Sequence, residues 1–255
     1  MSKNYDIIYS IGRDCACAMY MRKTNLRICS GPFDWLTNAS FEKRFEMMLN
    51  NFTGFLDKDK LKPMPKPTQF PSDKNNDYYE NVENGFYFWH DFPKDIDFDK
   101  AYDVVKTKYD RRIKRFYDNI KNKERVLLIW FSQLDNTSDE TVADCCNRLC
   151  QKFGKTIDFL IIEHSDDAVS VNCRKIADNV VRYNCNARMF DANGVPTTMG
   201  NEQLIRPIYE QYRLHVPFIV KAKSVALRIF VRLVCCMIPI KNWRNAIRKY
   251  FNNKF

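Results

Sequence analysis

Arg125-Val-Leu-Leu-Ile-Trp-Phe131 (RVLLIWF) and Ile157-Asp-Phe-Leu-Ile-Ile162 (IDFLII) decide the fold. Both are apolar runs of strand length that lack the alternation of a half-solvated strand, so each predicts a strand covered on both faces. Between them, Asp139 to Phe153 has helical spacing. Parallel neighbours need a crossover, and a strand, helix and strand of this kind predict a parallel βαβ unit. The expected class is α/β: a single domain with a mostly parallel sheet flanked by helices.

Working outward, Tyr5 to Ile11 (YDIIYSI) predicts another short buried strand closed by Gly12, followed by a helix over Asp14 to Lys23. Ser40 is placed to cap an amphipathic helix running to Phe55. Leu56 to Asn76 is rich in proline and lysine and predicts a surface loop. Asn84-Gly85 between two aromatic-rich runs in Tyr78 to Phe92 predicts a β-hairpin inserted into the α/β frame. Asp97 to Asn122 predicts a long polar helix carrying Arg111, Arg112, Lys114 and Arg115. Such a run reads more readily as a solvated face than as a clamp for an anion. Val180 to Phe190 predicts a further strand and Asn201 to Leu214 a helix.

Composition narrows the function classes. The chain has 255 residues, and its 45% hydrophobic and 14% aromatic content is too high for a disordered protein. The net charge of +10 is confined to one end: Gln211 to Phe255 holds ten Lys and Arg side chains and no acid. The rest is balanced, which argues against a nucleic-acid-binding core, and no specific nucleic acid is expected as a partner. The N-terminus offers no apolar stretch of signal-peptide length, so the ten cysteines predict reduced thiols and a cytoplasmic location. The cysteines form no paired CxxC, and His90, His164 and His215 lie far apart, so no metal site is expected. No phosphate-cradling glycine loop is present and no cofactor is expected.

The expected organisation is a domain over 1–215 and a basic amphipathic tail over 216–255. Lys221, Lys223, Arg228 and Arg232 interrupt the apolar segment Phe218 to Val234, which therefore cannot span a bilayer. After Pro239, Trp243, Ile247, Tyr250 and Phe251 share one helical side. Three readings stay open: a helix docked on its own domain, an anionic membrane surface as partner through residues 218–255, at the inner face of the cytoplasmic membrane, or, least favoured, non-specific contact with nucleic acid.

Cys15 falls at the expected first turn of a helix that follows a strand and a glycine, with Arg13 nearby. Both features lower a thiol pKa, so Cys15 is the candidate nucleophile. His90, in Phe86-Tyr-Phe-Trp-His90-Asp-Phe92, is placed at the end of the second hairpin strand and is the candidate base. Asp91 points to the opposite face from its neighbour, which leaves Asp34 as the candidate third member. His164, after the second buried strand, is the rival base, because sites in α/β sheets gather at the carboxyl ends of strands.

Ser10-Ile-Gly-Arg-Asp-Cys15-Ala-Cys-Ala18, Leu26-Arg27, Ser30-Gly-Pro-Phe-Asp34-Trp35, His90-Asp91-Phe92 and Tyr109 to Phe116 together resemble a bacterial and viral family of unknown function catalogued as papain-like cysteine peptidases. The resemblance covers roughly residues 5 to 165. It implies Cys15 as nucleophile and His90 as base, in a cysteine-nucleophile hydrolase or acyltransferase whose substrate the residues do not identify. A papain-like α+β fold is the alternative it brings. Ile238-Pro239-Ile-Lys-Asn-Trp243-Arg244-Asn-Ala-Ile-Arg248 resembles the basic C-terminal ends of some bacterial enzymes of surface-polysaccharide assembly, which implies work in that process. The contrasting class is a non-catalytic accessory protein docked on the membrane face or on a glycosyltransferase.

Overall fold

The computed structural model describes residues 3–65, 75–134, 137–216 and 235. In chain order its elements are β1 (Lys3–Tyr5), β2 (Ile7–Ser10), α1 (Cys15–Lys23), β3 (Leu36–Asn38), α2 (Phe41–Leu49), β4 (Leu61–Pro63), β5 (Asn76–Asn81), β6 (Phe86–Pro93), α3 (Phe98–Asn122), β7 (Val126–Ser132), α4 (Asp139–Phe153), β8 (Asp158–His164), β9 (Asn172–Ala177), β10 (Val180–Cys185), α5 (Glu202–Tyr209) and β11 (Tyr212–Leu214).

Both apolar runs are interior strands of a five-stranded sheet ordered β2-β7-β8-β10-β9. Their residues alternate between two cores. Leu127, Ile129, Phe131, Leu160 and Ile162 meet Cys17, Tyr20 and Met21 of α1 and Ile208 and Tyr209 of α5. Leu128, Trp130, Phe159 and Ile161 meet the aromatic side chains of α2 and α3, the apolar face of α4, and Phe86 and Phe88 of β6. With apolar cover on both sides, no position of β7 is left for a polar residue before Ser132.

The expectation of a mostly parallel sheet needs correction. The first four strands pair in parallel, but β9 closes the edge antiparallel to β10, so this sheet is mixed. The hairpin is not a simple insertion either. It is the centre of a separate antiparallel sheet ordered β3-β6-β5-β4, which takes in Leu61 to Pro63 from the proline-rich stretch read as loop. A short parallel pair, β1 with β11, ties the N-terminus to the segment after α5. The helix predicted to Leu214 therefore stops at Tyr209.

The helix ends follow from local chemistry. The Asp14 carboxylate accepts from the Ala16 N–H at 2.8 Å, and the Ser40 hydroxyl accepts from the Lys43 N–H at 3.3 Å. Ser138 caps α4 through the Thr141 N–H at 3.1 Å, and Gly154 ends that helix in the left-handed region at φ 62°. The expected basic tail, 216–255, lies almost wholly outside the described residues.

Candidate active site

The carboxyl ends of the four parallel strands lie along one rim of the sheet, and the chain leaves β2 there through Ile11, Gly12, Arg13 and Asp14 into α1. Cys15 is the first residue of α1 and is half-buried. Cys17 is fully buried one step further: its thiol donates to the Ile129 carbonyl at 3.3 Å and accepts from the Tyr209 hydroxyl at 3.4 Å. Gly12 permits this approach of helix to sheet. A Cβ on Gly12 would stand 2.6 Å from the Cys17 Cβ and 3.1 Å from the Phe131 nitrogen. Of this pair only Cys15 is placed to meet a substrate.

The electrostatics differ from the expectation of a lowered thiol pKa. Burial pushes the Cys15 thiol up to about 12, the Asp14 carboxylate adds to the rise, and the backbone N–H of Cys15 opposes it. Asp14 is the helix cap, so the group that completes the helix start also places a negative charge beside the thiol. The Arg13 guanidinium donates to the Asn38 side chain at 3.4 Å. Cys15 is therefore a protonated thiol near neutral pH.

His90 lies within β6 rather than at its end, because the strand runs on to Pro93. It occupies an irregularity: Asp77 pairs with Phe92 and Tyr79 with Phe88, so Trp89, His90 and Asp91 stand opposite Tyr78 alone. Such a bulge breaks the inward and outward alternation and re-aims side chains. His90 is exposed here, while both Asp91 and Phe92 are buried. The edge of its ring meets Trp35, with centroids 6.4 Å apart.

Asp34 is buried on the other side of the same corner. Its carboxylate accepts from Arg27 Nε at 2.8 Å and from the Gly31 N–H at 3.1 Å. Burial raises its pKa, and Arg27 is the strongest of the groups that oppose the rise. Arg27 also lies over the Trp35 ring, 5.6 Å from its centroid, so Asp34 reaches the His90 neighbourhood through Arg27 and Trp35. Asp91 is engaged by the Tyr109 hydroxyl at 2.9 Å and by Lys108. Cys15 makes no hydrogen bond to His90 or Asp34, and Asp34 makes none to His90. The three candidates do not form a hydrogen-bonded triad.

His164 is fixed by its neighbours. Nδ1 accepts from the Ala187 N–H at 3.1 Å, which puts the proton on Nε2, and Nε2 meets Asp166 at 2.8 Å. With both nitrogens engaged, His164 serves to join β8 to the segment after β10. His215 is exposed near the start of the tail, and its backbone N–H donates to the Tyr5 carbonyl at 2.7 Å.

A scan against protein-family models gives a match over residues 6–164 to the family described as "Putative papain-like cysteine peptidase (DUF1796)". The chain belongs to this family. The match spans β2 to β8 and so contains Cys15, Asp34 and His90, whereas β10, α5 and the tail lie beyond it. The chain is also 27% identical over 176 residues to an uncharacterized protein of Acanthamoeba polyphaga mimivirus, covering 64% of this chain and 79% of the relative. No solved structure matches.

Within this member of the papain-like cysteine peptidase family, two arginines that the sequence does not flag hold the rim in place. Arg44 of α2 is fully buried and donates to the carbonyls of Arg13 at 2.7 Å, Ala39 at 3.2 Å and Leu36 at 3.3 Å. Its guanidinium lies over Phe33, Phe86 and Trp130. It thereby fixes the backbone two residues before Cys15. Arg182 of β10 joins buried Glu163 to Asp139 at the start of α4, and Trp130 Nε1 donates to Glu163 at 2.9 Å. Among the described residues no helix is long and apolar enough to cross a membrane, and no group of His, Cys, Asp and Glu could hold a metal.

Proposed function

We propose that the protein is a cysteine-nucleophile hydrolase or acyltransferase in which Cys15 attacks an acyl carbon and His90 accepts the thiol proton. The observation that carries this reading is the contrast at the start of α1: Cys15 is half-buried at the sheet rim, while Cys17 is enclosed by Ile129 and Tyr209. A thiol held up to about 12 is protonated before substrate arrives, so the base acts in the complex with substrate, where loose resting geometry tightens. We assign this step to His90, which is exposed in a bulge, rather than to His164, which is buried and joins β8 to the segment after β10. The Sγ–H proton passes to His90, a thioester forms, and the imidazolium protonates the leaving amine or alcohol. Water or another acceptor then cleaves the thioester.

The test is turnover of a mixed peptide and thioester library by the full chain and by Cys15→Ala, His90→Ala and His164→Gln. Loss in the first two with retention in the third supports the assignment. Loss in His164→Gln with His90→Ala unaffected would move the base to the strand end.

One observation favours a second reading, that of a non-catalytic accessory protein: the resting Cys15 thiol is far from a thiolate at neutral pH. Wild-type inactivity across that library, with Cys15 unmodified, would select it. In either reading we assign the basic segment 218–255 to an anionic membrane surface, in a surface-polysaccharide setting. Salt-sensitive co-sedimentation with phosphatidylglycerol vesicles, lost in a chain ending at Leu214, would support that contact, and equal behaviour of both chains would remove it.

A further inference from the structure

The basic run of α3 is split by the helix. Arg111 and Lys114 are exposed, whereas Arg112 is buried and Arg115 half-buried, three residues apart on the inward face. The expectation of a solvated face therefore holds for only half of the run. On the exposed side Lys106 pairs with Asp110 and Lys114 with Asp118, and Arg111 stands in solvent; on the inward side Lys108 pairs with Asp91 and Arg27 with Asp34. Arg112 and Arg115 form no ion pair of their own among the described residues, which leaves a surplus of two positive charges.

The three guanidinium groups converge on one turn. Arg115 Nη2 donates to the Ser30 carbonyl at 2.6 Å, and Arg27 Nη2 donates to the Ser30 hydroxyl at 2.8 Å. Arg112 lies over the Tyr109 ring at 5.3 Å, close enough to Asp34 for its charge to act on that carboxylate. Arg112 Nη1 and Arg115 Nε are buried without a hydrogen-bond partner. A buried cation with an unused donor is costly unless an anion meets it. Cys29, Ser30 and Trp35, all half-buried, give the turn an open side.

We propose that Arg112 and Arg115, with Arg27 at the rim, bind a phosphoryl dianion, carried by inorganic phosphate or by a phosphomonoester. Two surplus charges match a dianion, and guanidinium forks supplied by α3 and by the loop of Arg27 suit a tetrahedral group better than a planar carboxylate. The site borders the corner of Asp34, Trp35 and His90, but the binding measured below requires no turnover at Cys15.

The experiment is a thermal-shift titration of the full chain with inorganic phosphate, glycerol 3-phosphate and acetate, at ionic strength held constant with sodium chloride. Saturable stabilisation by phosphate or glycerol 3-phosphate, with none from acetate, is the expected result. Tighter binding of glycerol 3-phosphate assigns the group to a larger molecule, and tighter binding of phosphate assigns the free ion. Arg112→Met and Arg115→Met should each weaken binding at least about tenfold, while Arg111→Met and Lys114→Met leave it unchanged. If Arg112→Met fails to fold, Arg115→Met decides alone, since that side chain is half-exposed. No stabilisation of the wild type, an equal effect of acetate, or unchanged binding in Arg115→Met overturns the proposal.

Discussion

Replacing Asp14 by Asn isolates the charge that the helix cap places beside Cys15. Asn caps a helix start about as well as Asp, so α1 should keep its first turn at a cost below about 1 kcal/mol, from the lost charge–dipole attraction. The Cys15 thiol is held up to about 12, with burial as the main cause and Asp14 the second. At pH 7.5 such a group is thiolate in roughly one molecule in thirty thousand. Removing a like charge at this range lowers the pKa by about one unit and raises the thiolate fraction about tenfold. The weaker basicity takes back part of that gain, because thiolate nucleophilicity falls with pKa at a Brønsted slope of about 0.4–0.5. The net expectation is Cys15 alkylation about three to four times faster in Asp14→Asn. Iodoacetamide labelling between pH 7 and 9, read at the Cys15 peptide, measures it. In the wild type the rate should climb tenfold per pH unit with no plateau, and exposed Cys173 should label first. A plateau below pH 8, or an unchanged or slower rate in Asp14→Asn, would refute the reasoning.

Gly12→Ala should destabilise the fold by about 1–3 kcal/mol through overpacking, a drop of about 3–10 °C in Tm. Cys17→Ala should not rescue it, because the 2.6 Å approach is to the Cys17 Cβ; a Tm within 1 °C of wild type would contradict this. Arg44→Met leaves three carbonyls, two of them buried, without this donor and should cost about 3–5 kcal/mol, measured by urea unfolding. Asp139 is held below the ordinary carboxylate range, by the Arg174 hydrogen bond first and then by Arg182. Its contribution is present above its unfolded value and lost as pH falls through the lower folded one. The Tm gap between wild type and Asp139→Asn should therefore close between pH 5 and 2, and a constant gap would exclude the linkage.

Residues 125–131 and 157–162 announced the parallel core because both faces of those strands are covered, and that cover removes every polar position from the run. The Ser40 cap and the turn at Asn84-Gly85 were legible for a similar reason: the chemistry is local. Four features were not. β9 is almost wholly exposed and carries no apolar pattern. β1 and β11 are three-residue strands whose pairing joins the two ends of the domain. The bulge at His90 exists only in register with β5, so a single strand could not display it. Arg44 and Arg112 occupy inward helix positions that read as polar until the aromatic rings and carbonyls around them are known. At the site itself, the position of Cys15 at a helix start was readable, but the rise in its pKa was not, because burial depends on the packed neighbours.

The central claim is that Cys15 forms the acyl intermediate. Incubating the full chain with an excess of an acyl thioester, quenching in acid and mapping the peptides by mass spectrometry tests it most directly. The account predicts one hydroxylamine-labile acyl group on the Cys15 peptide, absent in Cys15→Ser and strongly reduced in His90→Ala, with Cys17 unmodified. Acylation of Cys17 or Cys29 in place of Cys15, or an adduct that survives in Cys15→Ser, would contradict it.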